Sequence, residues 1–167
     1  MKWFLVMVAV VSVGGASVPH IIHLMVDDYG WNNVGFHASS QPNAKEVVTP
    51  NIDALAASGV ILDRFYAYRF CSPSRSSFLT GRNPIHVNTG NDALTLYNAK
   101  DQVSGFAGIP RNMSAIAEKL ASAGYNTVQA GKWHLGLATP DHTPKGRGFK
   151  HSLTYLDGAN DYWTSTT

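Results

Sequence analysis

Three short runs carry side chains whose types and spacing can do chemistry. The first is Cys71-Ser72-Pro73-Ser74-Arg75-Ser76-Ser77-Phe78-Leu79-Thr80-Gly81-Arg82, which contains the only cysteine in the chain. Pro73 pre-sets φ for a first helical turn and Ser74 to Leu79 is helix-compatible, so Cys71 is expected beside a helix N-terminus. Such an end favours an anion through its outward amides, and the planar fork of Arg75 suits an oxyanion. An ordinary capped helix would explain Ser-Pro-x-Arg equally well on these grounds alone.

The second run is Asp27-Asp28. Adjacent carboxylates repel, and the pair is most plausible where a hard cation neutralises it through oxygen ligands, although Asp-Asp alone is more often a solvated loop. The third is Lys132-Trp133-His134. In an extended segment, alternate residues point to one side, which would bring an ammonium and an imidazole to one ligand. Taken bare, Lys-x-His is weak and usually a solvated pair.

These groups need elements to position them. His20-Ile21-Ile22-His23-Leu24-Met25-Val26 is a mostly apolar run ending abruptly at Asp27, as a buried strand of a parallel sheet would. Pro50 opens a short helix with Ile52, Leu55 and Ala56 on one face, stopped at Ser58-Gly59. Val60 to Tyr68, rich in branched and aromatic residues, reads as a second strand. Between Asn112 or Ser114 and Ala123, the residues Met113, Ile116, Ala117 and Leu120 recur at helical spacing, with Gly124 at the C-terminal cap. Tyr125 to Ala130 follows as a short strand and Gly131 begins a loop. Residues 83–110 read as loop with one short helix, and the chain beyond Trp133 reads as loop. Strand and helix alternation predicts an α/β fold with a parallel sheet, whose ligands gather at the strands' carboxyl ends.

The chain has 167 residues, 44% hydrophobic and 14% charged, enough for one domain with its own core. A net charge of +2, from 13 basic and 11 acidic residues, is too small to imply a nucleic-acid or acidic-membrane partner or a general cationic field. An anionic ligand must therefore be held by a few placed cations. Lys2, the apolar run Trp3 to Val13 and the small residues Gly14-Gly15-Ala16 read as a secretory signal peptide covering 1–16, leaving 17–167 as mature chain. That run is shorter than the roughly 20 residues that span a bilayer, so no stable membrane anchor is expected. A lone cysteine in a secreted chain excludes intrachain disulfides and leaves an odd thiol in an oxidising compartment, where the common outcome is a buried inert residue.

Taken whole, these blocks resemble the type I sulfatases, members of the alkaline-phosphatase-like superfamily. Cys, Pro, Ser, Arg, Leu, Thr, Gly and Arg in the Cys71 run all fall at sulfatase signature positions. Leu24-Met25-Val26-Asp27-Asp28-Tyr29-Gly30-Trp31 resembles the first sulfatase block, and Gly124-Tyr125-Asn126-Thr127 through Gly131-Lys132-Trp133-His134-Leu135-Gly136 the second signature. Thr49 to Ala56 and Gly146-Arg147-Gly148-Phe149 are similar to further family stretches, and Asp157 to Trp163 leans toward the arylsulfatase B branch.

The resemblance implies an alkaline-phosphatase-like sulfatase fold of which this chain is the N-terminal portion, C-terminally incomplete. It implies that Cys71 is converted to formylglycine by the formylglycine-generating enzyme in the endoplasmic reticulum, the compartment the leader also indicates. The hydrated aldehyde would attack sulfur of a sulfate ester, an aryl sulfate or a sulfated sugar. Asp27, Asp28 and the modified Cys71 would bind calcium, Arg75 would stabilise the nucleophile, Lys132 would bind a sulfate oxygen and His134 would pair with the formylglycine hydroxyl. Further metal ligands and a leaving-group histidine are expected from a later segment, so the chain alone is expected to hold half a site. The other readings are a phosphate or phosphonate ester hydrolase of the same superfamily and an inactive truncated fragment. Localisation follows as secretory, either lysosomal or extracellular. Asn112-Met113-Ser114 is the one glycosylation sequon. The remaining histidines, including His37 and His142, are expected to be structural or exposed.

Overall fold

The computed structural model describes residues 6–11, 18–38, 42, 44–88, 90, 100, 108–161 and 163–164. The chain divides into two units, Met1–Arg69 and Phe70–Thr167.

In the first unit, β1 (Val6–Val11) and β2 (His20–Met25) form an antiparallel pair with Val6 opposite Met25 and Val11 opposite His20. β1 lies within the run read as the apolar part of a leader, whereas Lys2 and Ala16 lie outside the described residues. The expectation that His20–Val26 is a buried strand of a parallel sheet is corrected here. Among the described residues its neighbour is antiparallel β1, and Ile21, Ile22 and Leu24 are exposed. A parallel strand needs cover on both faces, whereas an antiparallel ladder satisfies the backbone and can leave a face wet.

Beyond β2 the chain turns at Asp27 and Asp28 and enters a 3-10 turn (Trp31–Asn33) and the short helix α1 (Gly35–Ala38). α2 (Pro50–Ser58) has Pro50 in its first turn and Gly59 as its C-cap, as the sequence predicts. The Thr49-to-Ala56 block has a structural task. Thr49 Oγ1 accepts from Gly35 N at 2.7 Å and donates to Asp53 Oδ1 at 2.8 Å, and Asp53 Oδ1 also accepts from Phe36 N at 3.1 Å. The Asp53 carboxylate thereby holds the Phe36 amide of α1 directly and the Gly35 amide through Thr49, a use of negative charge that a helix start favours. Val34 and Ala38 are buried beside this clasp, and Trp31 stacks on His37 at 3.6 Å.

Val60 to Tyr68 is not a strand, which corrects a second expectation. The segment runs as coil with a turn at Asp63-Arg64, and Val60 and Leu62 are 86% and 66% exposed. Branched and aromatic residues favour a strand only where a partner edge completes the ladder.

The second unit holds the main core. α3 (Cys71–Thr80) buries Ser72, Pro73, Ser74, Arg75, Ser76 and Leu79. Ser74 Oγ donates to Phe70 O at 2.6 Å and Thr80 Oγ1 to Ser76 O at 2.8 Å, so hydroxyls that would be costly in a core find acceptors within the helix. Gly81 ends α3 in the left-handed region with φ 66°, where glycine has no steric penalty. α4 (Ile116–Ser122) begins later than the sequence pattern suggests, because Glu118 caps Ala115 N at 2.6 Å and leaves Met113 in the preceding turn.

β3 (Val128–Lys132) pairs in parallel with β4 (His151–Tyr155), Val128 opposite His151 and Lys132 opposite Tyr155. This is the parallel sheet expected of an α/β fold. β3 runs two residues further than predicted, through Gly131, and β4 falls in a stretch read as loop. The core cluster is Leu79, Ile109, Trp133 and Leu135, with Phe78, Met113, Phe149 and Leu156 packed against it. Trp133 is 1% exposed and meets Phe149 edge to face. No helix of the described residues is long and apolar enough to cross a membrane.

Candidate active site

Cys71 is the first residue of α3 and is half-buried. Phe70 at the N-cap has no acceptor side chain and makes no side-chain cap bond of its own. Arg75 stands four residues on, above Cys71 on the same helix face. Its Nη1 donates to Lys132 O at 2.9 Å, which joins the Cys71 run directly to the Lys132 run. Gln129 Nε2 donates to the same carbonyl at 3.3 Å, and Thr154 donates to Gln129 Oε1. β3 and β4 therefore support the carbonyl on which Arg75 rests. On the other flank, Asn88 Nδ2 donates to Ser72 Oγ at 2.8 Å and Ser72 is fully buried, which steadies the residue after Cys71.

Lys132 closes β3 and is half-buried, and His134 is 4% exposed. The sheet bonding continues past β3, with Trp133 N donating to Tyr155 O at 3.0 Å and His134 N to Leu156 O at 3.1 Å. His134 then takes φ 56°, so the extended alternation that would send Lys132 and His134 to one side does not hold through residue 134. The departure follows from the turn the chain makes to seat Leu135 in the core and to bring Gly136 O to Trp133 Nε1, which also donates to His142 O. The His134 ring lies against Gly158.

The same unit buries two basic side chains, Arg147 and His142, beside an exposed ion pair. Arg147, 3% exposed, donates to Met113 O and Arg111 O and lies 3.7 Å from a Glu118 oxygen. Arg111 pairs with Asp141. His142, 3% exposed, has its Nδ1 2.7 Å from Thr139 Oγ1. Burial first, then the neighbouring Arg111 and Arg147, push the His142 imidazole below its ordinary value against the opposing pull of Asp141.

Asp27 and Asp28 belong to the first unit, both exposed on the turn after β2, with Asp28 at φ 51°. Two hard carboxylates on one turn are a donor pair for a divalent cation. Asn112 is exposed in the turn before α4. Sequence reasoning missed Asn88, Gln129 and Gly158, whereas His142, expected to be structural or exposed, is buried and structural. Gln129 and Gly158 sit inside blocks already singled out, whereas Asn88 carries no signal separating it from ordinary polar residues.

A helix-borne cysteine and arginine are tied to the end of a parallel strand pair in an α/β protein. The chain belongs to the sulfatase family, whose model matches residues 19–167. It is 38% identical over 152 residues to arylsulfatase J of Mus musculus, covering 90% of this chain and 23% of that protein. With N-acetylgalactosamine-6-sulfatase of Mus musculus it shares 36% over 143 residues, covering 85% of this chain and 26% of that protein. Among solved structures, Ps i-CgsB in complex with k-i-k-neocarrahexaose aligns with TM-score 0.60 and 34% identity over 81% of this chain and 28% of that one. The chain thus spans about a quarter of the length of the curated relatives it matches. The α/β fold is that of the sulfatases.

Proposed function

We propose that this chain carries the nucleophile-bearing part of a sulfuric ester hydrolase that acts on aryl sulfates or sulfated sugars. The observation that supports it most is the complete Cys-x-Pro-Ser-Arg run at the head of α3, with Arg75 bonded to the Lys132 carbonyl. The sugar class draws support from a relative named N-acetylgalactosamine-6-sulfatase and from a structural neighbour complexed with a neocarrahexaose. The Asp157 to Trp163 block supports placement near the arylsulfatase B branch.

In this reading Cys71 is converted to formylglycine by the formylglycine-generating enzyme, which replaces a thiol with a hydrated aldehyde; one hydroxyl attacks sulfur and the ester's alcohol leaves, and loss of the second hydroxyl's proton then expels sulfate and restores the aldehyde. Arg75 stabilises the oxygen of that nucleophile, and its tie to Lys132 O keeps the guanidinium from swinging away. Lys132 binds a sulfate oxygen, and His134 takes the hydroxyl proton as sulfate leaves. The carboxylates of Asp27 and Asp28, with the position 71 oxygen, are hard donors that fit calcium, which when bound neutralises sulfate charge and lowers a hydroxyl pKa. Further ligands are proposed to belong to sequence outside these 167 residues. The leader-like N-terminus supports a secretory route, lysosomal or extracellular, and exposed Asn112 supports glycosylation there.

The test is turnover after co-expression with the formylglycine-generating enzyme, on aryl sulfate and aryl phosphate side by side. A longer form containing this chain is expected to prefer the sulfate in kcat/KM and to lose roughly 10³-fold or more with Cys71→Ala. A higher kcat/KM on the phosphate would make it a phosphate or phosphonate ester hydrolase instead. Robust turnover by the 167 residues alone would contradict the expectation that they are an inactive fragment.

A further inference from the structure

The His134 imidazole is held in an unusual way. Its backbone is in the left-handed region at φ 56°, which costs a non-glycine residue about 1 kcal/mol or more, so the surrounding structure must determine it. The His134 amide is fixed by Leu156 O at 3.1 Å, and the ring is almost wholly buried. What lies against the ring is the backbone of Gly158. A Cβ at residue 158 would stand 2.8 Å from His134 Cε1, 2.9 Å from Nε2 and 3.3 Å from Nδ1. Three ring atoms at such distances mean that the imidazole occupies the space a side chain would fill. The bend that carries Gly158 is itself fastened, since Gly158 N donates to Asp157 Oδ1 at 2.7 Å.

We propose that Gly158 is a positioning residue for His134: its missing side chain provides the slot that sets the direction of the imidazole, and any substituent there drives the ring out of line. The inference rests on the reading of His134 as the proton-accepting group, but it concerns where the ring sits. It can therefore fail while the sulfatase reading stands, and the reverse.

The experiment uses the 167-residue chain, with the imidazole Cε1–Hε1 cross peaks followed by NMR and stability followed by denaturant unfolding. Gly158→Ala is expected to move the His134 cross peak while those of His86 and His151 stay in place. It should lower the folding equilibrium constant roughly tenfold, as an overpacked contact does. In a His134→Ala background, where the ring is gone, the same change should cost less than about twofold. An unmoved His134 cross peak, or an equal cost in both backgrounds, overturns the proposal. If Gly158→Ala does not fold, His134→Ala/Gly158→Ala must fold as well as His134→Ala does, and failure of that double variant overturns it too.

Discussion

At the scale of single residues, Cys71 opens α3 and Arg75 follows one turn later, its guanidinium anchored on the Lys132 carbonyl that Gln129 also supports. A buried guanidinium with a planar fork is not replaceable by an ammonium, which is a point charge on a flexible stem. Arg75→Lys is expected to lower unfolding free energy by about 1–3 kcal/mol, the range for losing a hydrogen bond to a charged group in a buried setting. Denaturant unfolding of the two proteins checks it, and equal midpoints would show that the contact carries no weight. The chemistry-bearing residues were legible in sequence because their types are uncommon in combination at fixed spacing. Gly158 and Gln129 were not, since a glycine against a ring or an amide under a carbonyl is a fact of three-dimensional approach.

At the scale of elements, Trp133 is the hinge between the strand end and the core. Its indole N–H serves both Gly136 O and His142 O, so Trp133→Phe should leave two buried carbonyls short of a donor and cost about 1–3 kcal/mol, read from the shift in denaturation midpoint. His142, in the adjoining turn, gives a pH signature. Its folded imidazole resists protonation, whereas the unfolded chain titrates near the ordinary value of 6.5. Its contribution is therefore fully present above about pH 6.5 and is lost progressively as pH falls below that value. Melting temperatures from about pH 7.5 to about pH 5 should drop less for His142→Gln than for the parent chain, and parallel curves would contradict the assignment. α2 and α4 were legible because apolar spacing, Pro50, Gly59 and Gly124 mark them. Val60 to Tyr68 failed as a strand because composition cannot supply a partner edge, and β4 was missed because His-Ser-Leu-Thr-Tyr carries a single aliphatic residue.

At the scale of the whole molecule, the first unit carries Asp27 and Asp28 and the second carries Cys71, Arg75, Lys132 and His134, while the sulfatase family match runs through both. Family membership was readable because the motifs are spread along the chain rather than clustered. Burial was not. Leu153 is 82% exposed, Val128 61% and Ile22 57%, although their residue types predict cover, because burial depends on surfaces that a strand's own sequence does not describe. The proposed function depends above all on a formylglycine at position 71. Peptide mass spectrometry across Ser72 to Arg75 and its flanks, after expression in a eukaryotic secretory host, tests it most directly. The expected mass is that of an aldehyde or its hydrate at position 71, and an unmodified thiol in all of the secreted protein would rule the formylglycine out.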